Sequence, residues 1–465
     1  MKNILFTLLG TDGYKLGHRL QYPKGTEVIF SNFTPRGSKH PEIKEEILVF
    51  GLDYVMSLLK ESWDSFFSLT KEETKEVIEF YKKTVESYLG EEYTVDHLWE
   101  LYEHGELPIE VYGLPNYTTS KLKIPVFVIW NTDPKFYWLV NYLETWLINH
   151  SWLILTSATI SNEYRKIFDK YAKKTSTKLF EDVIVNYQGH DFSCRGMSSE
   201  ESSILSGLGH LANFKGTDTL NAMIEWNRFY KKDGDLEVMS VNATEHSVMC
   251  APGQENEEKT YSRLLDIYPK GVLSIVSDTW DLWNVLTNIL KNLKDKIMNR
   301  DGKVVIRPDS GDPYQIVCGT MGKDAVKPEE KGTLRLLDEV FGHTINEKGY
   351  KVLDKHVGLI YGDKITLSVA EKILSRIEEM GYSSENIIFG IGAYTYQRPT
   401  RDTFKFATKA TAVKIEGQWK EIFKNPITDS GKKSAKGILN VKNGVLLESS
   451  SIEEIKNNSD FIKLI

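Results

Sequence analysis

Cysteine is scarce: only Cys194, Cys250 and Cys318 occur in 465 residues. None forms a CxxC pair, which argues against a disulfide framework or a cysteine zinc site and fits a reducing compartment such as the cytoplasm. No HxH or HExxH spacing marks a dedicated metal cage. Basic residues are not in excess, with 58 Lys and Arg against 65 Asp and Glu and a formal net charge of −7. Without a long basic stripe, nucleic acid is not an expected partner, although local Arg and Lys clusters can still meet an acidic small molecule. Long apolar runs are missing as well. The most hydrophobic stretch, "FVIWNTDPKFYWLVNYLETWLINHSWLIL", is broken by Asn131, Asp133, Lys135, Asn141 and Glu144 and is too interrupted to span a bilayer. It reads better as a helix starting near Pro134 with Thr132 or Asp133 as cap. "MKNILFTLLG" has a short apolar run and no small-x-small cleavage site after it, so a first strand or helix is expected there. There is no low-complexity linker and no short-period repeat.

What is present is ordinary globular material, 41% apolar and 26% charged. At about 150 residues per domain, two to three domains are expected. "KEETKEVIEFYKKTVESYL" and "SNEYRKIFDKYAKKT" have helical periodicity with a charged outer face. From about residue 181 a rhythm sets in. "EDVIVNYQ", "ANF", "LEVMSV", "GVLSIVS", "KVVIR", "VGLIY" and "NIIFGIG" read as strands, and amphipathic helical stretches alternate with them. About seven such units predict an irregular α/β barrel of parallel strands. The barrel is expected over 181–399. A mixed β-rich and helical domain is expected from 1–180 with 400–465. Within it, "FATKATAVKIEGQWKEIFKNP" alternates around Gly417 as an antiparallel hairpin.

The strand ends are where chemistry collects. "GHDFSCRG", "KGTD", "ATEH", "VSDTWD", "RPDSGD", "YGDK" and "GIGAY" follow successive strands. In an α/β barrel these loops share one face, and that face holds the site. Arg195, Asp218, His246, Asp278, Arg307, Asp309, Asp363 and the Gly390–Gly392 loop are therefore expected to converge. Singly, Asp218 or Asp278 reads as a helix cap, and His246 reads equally as a structural histidine. Together, polar endings on successive strands point to a pocket wall. Arginines and a glycine turn suit phosphate oxygens. Aspartates beside them suit sugar hydroxyls, or Mg²⁺ held jointly with phosphates. Phe192 and the early Tyr14 suit the two faces of a flat ring. Residue types alone leave phosphoribosyl transfer, aldol and isomerase chemistry open.

The motifs "DGYKLGHRLQYP", "GHDFSCRGMSSEES", "LANFKGTDT", "ATEHS", "SIVSDTWD", "VIRPDSGDP", "YGD", "TRD" and "FKNP" occur in that order over nearly the whole chain. In this the sequence resembles the nicotinamide phosphoribosyltransferases, which are type II phosphoribosyltransferases. The resemblance implies a homodimer that joins nicotinamide to phosphoribosyl pyrophosphate (PRPP) with Mg²⁺, giving nicotinamide mononucleotide and pyrophosphate. It implies that Phe192 stacks on the pyridine ring, with Tyr14 of the partner subunit on the other face. Asp218 and Ser274 would read the carboxamide, and Arg307 would lie against ring and phosphate. Asp309, Gly362 and Asp363 would meet the ribose and its phosphate, and Arg195 and His246 the diphosphate. Arg401, Gly392 and Ala393 would hold the 5′-phosphate. Arg36, Lys409, Lys424 and Lys432 would approach from the partner, though Lys432 reads equally as a solvated lysine. His246, Asp278 and Asp309 are the expected catalytic residues. Any metal carboxylate is Asp278 or Asp309, and the metal would be held mainly by diphosphate. The family also couples turnover to ATP through phosphorylation of the histidine matching His246. One departure is visible. Where the family has a run of glycines, this chain reads Gly390-Ile391-Gly392-Ala393-Tyr394, a less permissive turn. Nicotinate or quinolinate phosphoribosyltransferase is the nearest rival, and Asp218 opposes both because an acid would face an acid. The rival from another class is a catalytically silent nucleotide-binding relative.

Overall fold

The computed structural model describes all residues except 1, 232–236, 321, 323 and 425–434. Lys432 and the end of "FKNP" lie outside the described residues. The chain forms two compact units, one of residues 1–156 with 400–465 and one of residues 157–399.

The second unit is built on seven parallel strands. They are β1 (Gly189–Asp191), β2 (Gly216–Thr217), β3 (Asn242–Ala243), β4 (Leu273–Val276), β5 (Val304–Arg307), β6 (Val357–Tyr361) and β7 (Ile387–Ile391). Their order is β2-β1-β7-β6-β5-β4-β3. The two edges are linked as well. Met239, three residues before β3, bridges in parallel to Gly216 of β2. The curl expected of an α/β barrel is therefore observed. Its core is apolar, with Leu273, Ile275, Ile306, Leu359, Ile387 and Phe389 each at most 2% exposed. Helices run between the strands. The helix Leu367–Glu379 is typical: Thr366 caps it by accepting from Val369 N, and Leu367, Ala370, Ile373, Leu374 and Ile377 form its buried stripe. Each fully buried Leu or Ile in such a stripe contributes roughly 1.5–3 kcal/mol.

Three expected strands differ. "EDVIVNYQ" is not a strand. Thr177 caps a helix over Lys178–Asp182, and a 3-10 turn over Ile184–Tyr187 follows. Only Phe180 and Val185 are buried there, so the apolar alternation has no sheet to face. "ANF" is the frayed end of the helix Glu200–Leu211, and the strand comes two residues later. The strand expected at "LEVMSV" is seen as the Met239 bridge and then β3, with Leu236 outside the described residues. The long helix expected after β4 is broken by a π-helical segment, Val285–Ile289.

The first unit centres on a six-stranded antiparallel sheet. Its order is Gln418–Glu421, Phe406–Ile415, Thr26–Pro35, Phe127–Asn131, Ile109–Gly113, Ile462–Lys463. The expected hairpin is present: Ile415 pairs with Gln418, leaving the two-residue turn Glu416-Gly417. Both turn residues have positive φ, 48° and 80°, as a twist-matched hairpin turn requires. The stretch from Pro134 forms a short 3-10 turn with Asp133 as its cap. "MKNILFTLLG" contributes a helix, Lys2–Leu8. Among the described residues no helix is long and apolar enough to cross a membrane.

One buried acid ties stability to pH. Glu257, 4% exposed, opens the helix Glu257–Ile267. Burial, with the nearby Asp281 charge, raises its carboxyl to about 7. A raised acid takes up a proton on folding, so its penalty grows as pH rises from the unfolded value near 4.5 through 7. Glu257→Gln should therefore have a higher Tm than the unsubstituted chain at pH 8. The gap should close towards pH 5, as scanning calorimetry at several pH values would show.

Candidate active site

Phe192 follows β1 directly, and its backbone N–H donates to Ile391 O at the end of β7. Its ring lies against main chain without side chains. A Cβ on Gly390 would sit 2.3 Å from Phe192 Cδ2, and one on Gly362 3.1 Å from it. Position 390 must be glycine for the ring to keep this seat, and a Cβ at 362 would press on it more mildly. Gly362, expected at the ribose, thus backs the aromatic ring. Beside it stands His190, 4.9 Å from Phe192 between ring centroids. His190 Nε2 is 3.0 Å from Asp218 Oδ1, which also accepts from Ser240 Oγ at 2.5 Å. Burial pushes the Asp218 carboxyl up. The hydrogen bond and charge of His190, the Ser240 bond and the Arg307 charge more than offset this and hold it below its ordinary value.

The ends of β4 and β5 carry a second group. Asp278 Oδ2 accepts from Asp309 N at 2.9 Å and Ser310 Oγ at 2.5 Å. Asp278 Oδ1 is 3.9 Å from His246 Nε2. His246 Nδ1 is 3.1 Å from Thr279 Oγ1. Arg307 closes the end of β5 and donates through Nη2 to Thr244 O. Burial lowers the Arg307 guanidinium, while Asp309, Asp218 and Asp278 oppose that and Arg195 adds to it. Asp309 is raised by burial and by the Asp278 and Asp363 charges, against Arg307 and His246. Seven expected residues are thus linked by charge through Arg307 and Asp309: Arg195, Asp218, His246, Asp278, Asp363 and these two themselves, while Phe192 stands beside Asp218 through His190.

Several polar atoms here are buried with no hydrogen-bond partner among the described residues: Ser193 Oγ, Ser274 Oγ, Asp278 Oδ1 and Arg307 Nε. Such groups cost roughly 1–3 kcal/mol each when left unpaired. Strand ends that keep several of them are prepared for a polar ligand. Ser274, expected at a carboxamide, is one of these, 4% exposed on β4.

The glycine loop also has a clear geometry. No residue from 390 to 394 has positive φ, so Ala393 and Tyr394 fit without strain. The Ala393 methyl packs on Gly196, where a Cβ would come within 2.4 Å. Gly392 faces open space.

In the first unit, the Lys409 ammonium is lowered by partial desolvation. Glu144 opposes this, and Lys15, Arg36 and Lys424 add to it. Arg36, Lys409 and Lys424 therefore share one basic cluster with Lys15. Lys15 is buried and paired with Glu144 at 2.9 Å. Next to it Tyr14 is 66% exposed. Arg401 pairs with Asp402 at 2.8 Å.

Among the described residues no group of three or more His, Cys, Asp or Glu side chains is arranged to hold a metal. One buried, unpartnered carboxylate oxygen, Asp278 Oδ1, is available. That set fits a cation held mostly by a substrate's own phosphates.

Sequence reasoning missed His190, Ser240, Ser310 and Lys15. His190 and Ser310 stood inside quoted motifs. For His190 the motif itself was the only signal, because the three residues of β1 leave no readable alternation. Ser240 had none.

The family model described as "Nicotinate phosphoribosyltransferase (NAPRTase) family" matches residues 187–457, and "Nicotinamide phosphoribosyltransferase, N-terminal domain" matches residues 6–111. The chain is 46% identical to a nicotinamide phosphoribosyltransferase of Acinetobacter baylyi, covering 93% of this chain and 87% of that protein. It is 38% identical to one of Mycoplasma pneumoniae, covering 92% and 94%. In fold it resembles the nicotinate-nucleotide pyrophosphorylase of Pyrococcus furiosus, with a TM-score of 0.55 at 16% identity, covering 99% and 88% of the two chains.

Proposed function

The chain belongs to the nicotinamide phosphoribosyltransferase family, and from that premise we propose that it transfers the phosphoribosyl group of PRPP to nicotinamide in NAD salvage. The carrying observation is Asp218 bonded to His190 and Ser240 beside Phe192, donors and charges that keep its carboxyl below the ordinary range. A carboxamide can donate to that carboxylate, whereas a ring carboxylate is repelled by it.

In this reading Phe192 takes one face of the pyridine, and the ring nitrogen is aimed at C1 of the ribose. The nitrogen lone pair forms the new N–C1 bond as the C1–O bond to pyrophosphate breaks, and that electron pair leaves with the pyrophosphate. Positioning supplies much of the rate. Arg195, His246 and Arg307 stabilise the departing diphosphate. Asp309 and Asp363 accept from ribose hydroxyls. Mg²⁺, when bound through the diphosphate and Asp278 or Asp309, supplies charge neutralisation. ATP is read as a coupling co-substrate acting through His246, and the cytoplasm as the compartment.

Product analysis with PRPP and either nicotinamide or nicotinate tests the reading. Nicotinamide mononucleotide is the expected product, and exclusive use of nicotinate overturns it. Asp218→Asn should weaken nicotinamide use by about tenfold and relax the preference, because a neutral amide no longer repels an acid.

The active site is read as shared in a homodimer, with Tyr14 of the partner subunit on the second ring face and the cluster of Arg36, Lys409 and Lys424 on the phosphates. A mixed dimer of Tyr14→Ala with His246→Ala then has one doubly damaged site and one intact site. Coexpression with two tags, purification of the mixed dimer and a turnover assay should give activity well above the mean of the parents. Activity at the parental mean would place Tyr14 in its own chain's site.

A further inference from the structure

The two oxygens of Asp218 are treated differently by the fold. Oδ1 takes both His190 Nε2 at 3.0 Å and Ser240 Oγ at 2.5 Å. Oδ2 makes no hydrogen bond among the described residues, and the Asp218 side chain remains 44% exposed. Two bonds to one oxygen favour this orientation of the carboxylate plane, so one oxygen stays engaged while the other is left without a partner.

The His190 ring is itself held in place. His190 pairs with Gly216 across β1 and β2, and a Cβ on Gly216 would lie 2.7 Å from its Nδ1. The missing side chain at 216 is the room the imidazole occupies. The Phe192 ring stands 4.9 Å from it, and the His190 side chain is 11% exposed. The parts come from three places in the barrel: His190 from β1, Asp218 from the end of β2, and Ser240 from the segment between the Met239 bridge and β3. An Asp that only capped the following helix would need neither donor. The helix Leu220–Tyr230 has Thr219 at its cap position, not Asp218.

We propose that His190 and Ser240 are positioning residues that set the choice between amide and acid: by occupying Oδ1 they leave Oδ2 as an acceptor for the N–H of a ring carboxamide. The inference rests on the nicotinamide reading above and adds the residues that enforce it. A carboxamide donates one N–H to the free oxygen. A carboxylate has no proton to offer and brings a second negative charge. A carboxylate released from its two donors would take up a proton more readily and could then accept an acid as a partner.

The test compares kcat/KM for nicotinamide and nicotinate at saturating PRPP. His190→Leu removes one donor, and His190→Gln returns an N–H within reach of the same oxygen. In His190→Leu the nicotinamide value should fall about tenfold or more, with nicotinate falling less, so that the ratio shrinks. His190→Gln should restore most of the ratio. Ser240→Ala should shift it in the same direction by a smaller factor. Ser240 is exposed, so this variant carries the test even if His190→Leu does not fold. An equal fall on both substrates, with the ratio unchanged in His190→Leu and Ser240→Ala, overturns the inference and leaves the nicotinamide reading standing. An unsubstituted enzyme that uses only nicotinate overturns the reading itself. A second readout needs no turnover: the Asp218 carboxyl, followed by ¹³C NMR, should titrate at higher pH in His190→Leu and in Ser240→Ala. A titration unmoved in both overturns the inference whichever substrate is used.

Discussion

Asp278→Ala is expected to lower kcat/KM by about two to three orders of magnitude, the range seen when one preorganised electrostatic contact is removed from a reacting centre. Asp278 joins three parts of the site. Its Oδ2 holds the turn after β5 through Asp309 N and Ser310 Oγ. Its Oδ1, buried and unpartnered, lies 3.9 Å from His246 Nε2. A plain turn-holding role is the competing account, and Asp278→Asn separates the two. Asparagine keeps an acceptor for Asp309 N and Ser310 Oγ but carries no charge. If Asp278 only holds the turn, Asn should behave nearly as the native residue. If its charge serves the ribose and diphosphate chemistry, Asn should be almost as damaged as Ala, and more Mg²⁺ should be needed for half-maximal rate. Steady-state assays over a range of Mg²⁺, with a thermal melt to exclude unfolding, decide between them. Near-native turnover of Asp278→Asn would remove Asp278 from the chemistry.

The legible parts of this site are those where strand and loop contrast sharply. β4, β5 and β6 are four or five residues long, buried throughout except for Arg307 at the end of β5, and lead into SDTWD, PDSGD and GDK. There the change from apolar to charged is abrupt, so Asp278, Arg307, Asp309 and Asp363 could be read as pocket wall. β1, β2 and β3 have only two or three residues each, too short to leave a period. The apolar residues of "EDVIVNYQ" drew attention to the wrong segment: they follow the short helix capped by Thr177, and of Val183, Ile184 and Val185 only Val185 is buried. The grouping of His190, Asp218 and Ser240 was illegible for a different reason. Their separations of 28 and 22 residues acquire meaning only when β1, β2 and the Met239 bridge are side by side. The same holds for Lys15, whose burial depends on Glu144, 129 residues away. Side-chain pairing across the fold is a product of closure, and a single sequence carries no record of it.

His246→Ala is expected to cut turnover by roughly 10²-fold, within the range for a positioned acid–base group, and to abolish any stimulation by ATP. His246 opens the five-residue helix His246–Cys250 just after β3, with its side chain 49% exposed. One ring nitrogen is engaged by Thr279 Oγ1 at 3.1 Å. The other faces Asp278 at 3.9 Å, longer than a hydrogen bond. A ring oriented through Nδ1 and open at Nε2 is suited to meet a phosphate. The same exposure means that little packing is lost in the alanine variant, so its Tm should move by only a degree or two. Loss of rate with an unchanged melt is then the signature of chemistry. His246→Gln adds a control: its amide reaches the diphosphate as a donor but cannot carry a phosphoryl group. It should recover part of the basal rate and none of the ATP stimulation. Incubation with γ-³²P-ATP followed by alkaline gel electrophoresis, which preserves phosphohistidine, should label the unsubstituted enzyme and neither variant. Stoichiometric label retained in His246→Ala would place the phosphoacceptor elsewhere. Ser247 and Thr279 would be the next hydroxyls to replace, being adjacent in the chain and hydrogen-bonded to the ring respectively.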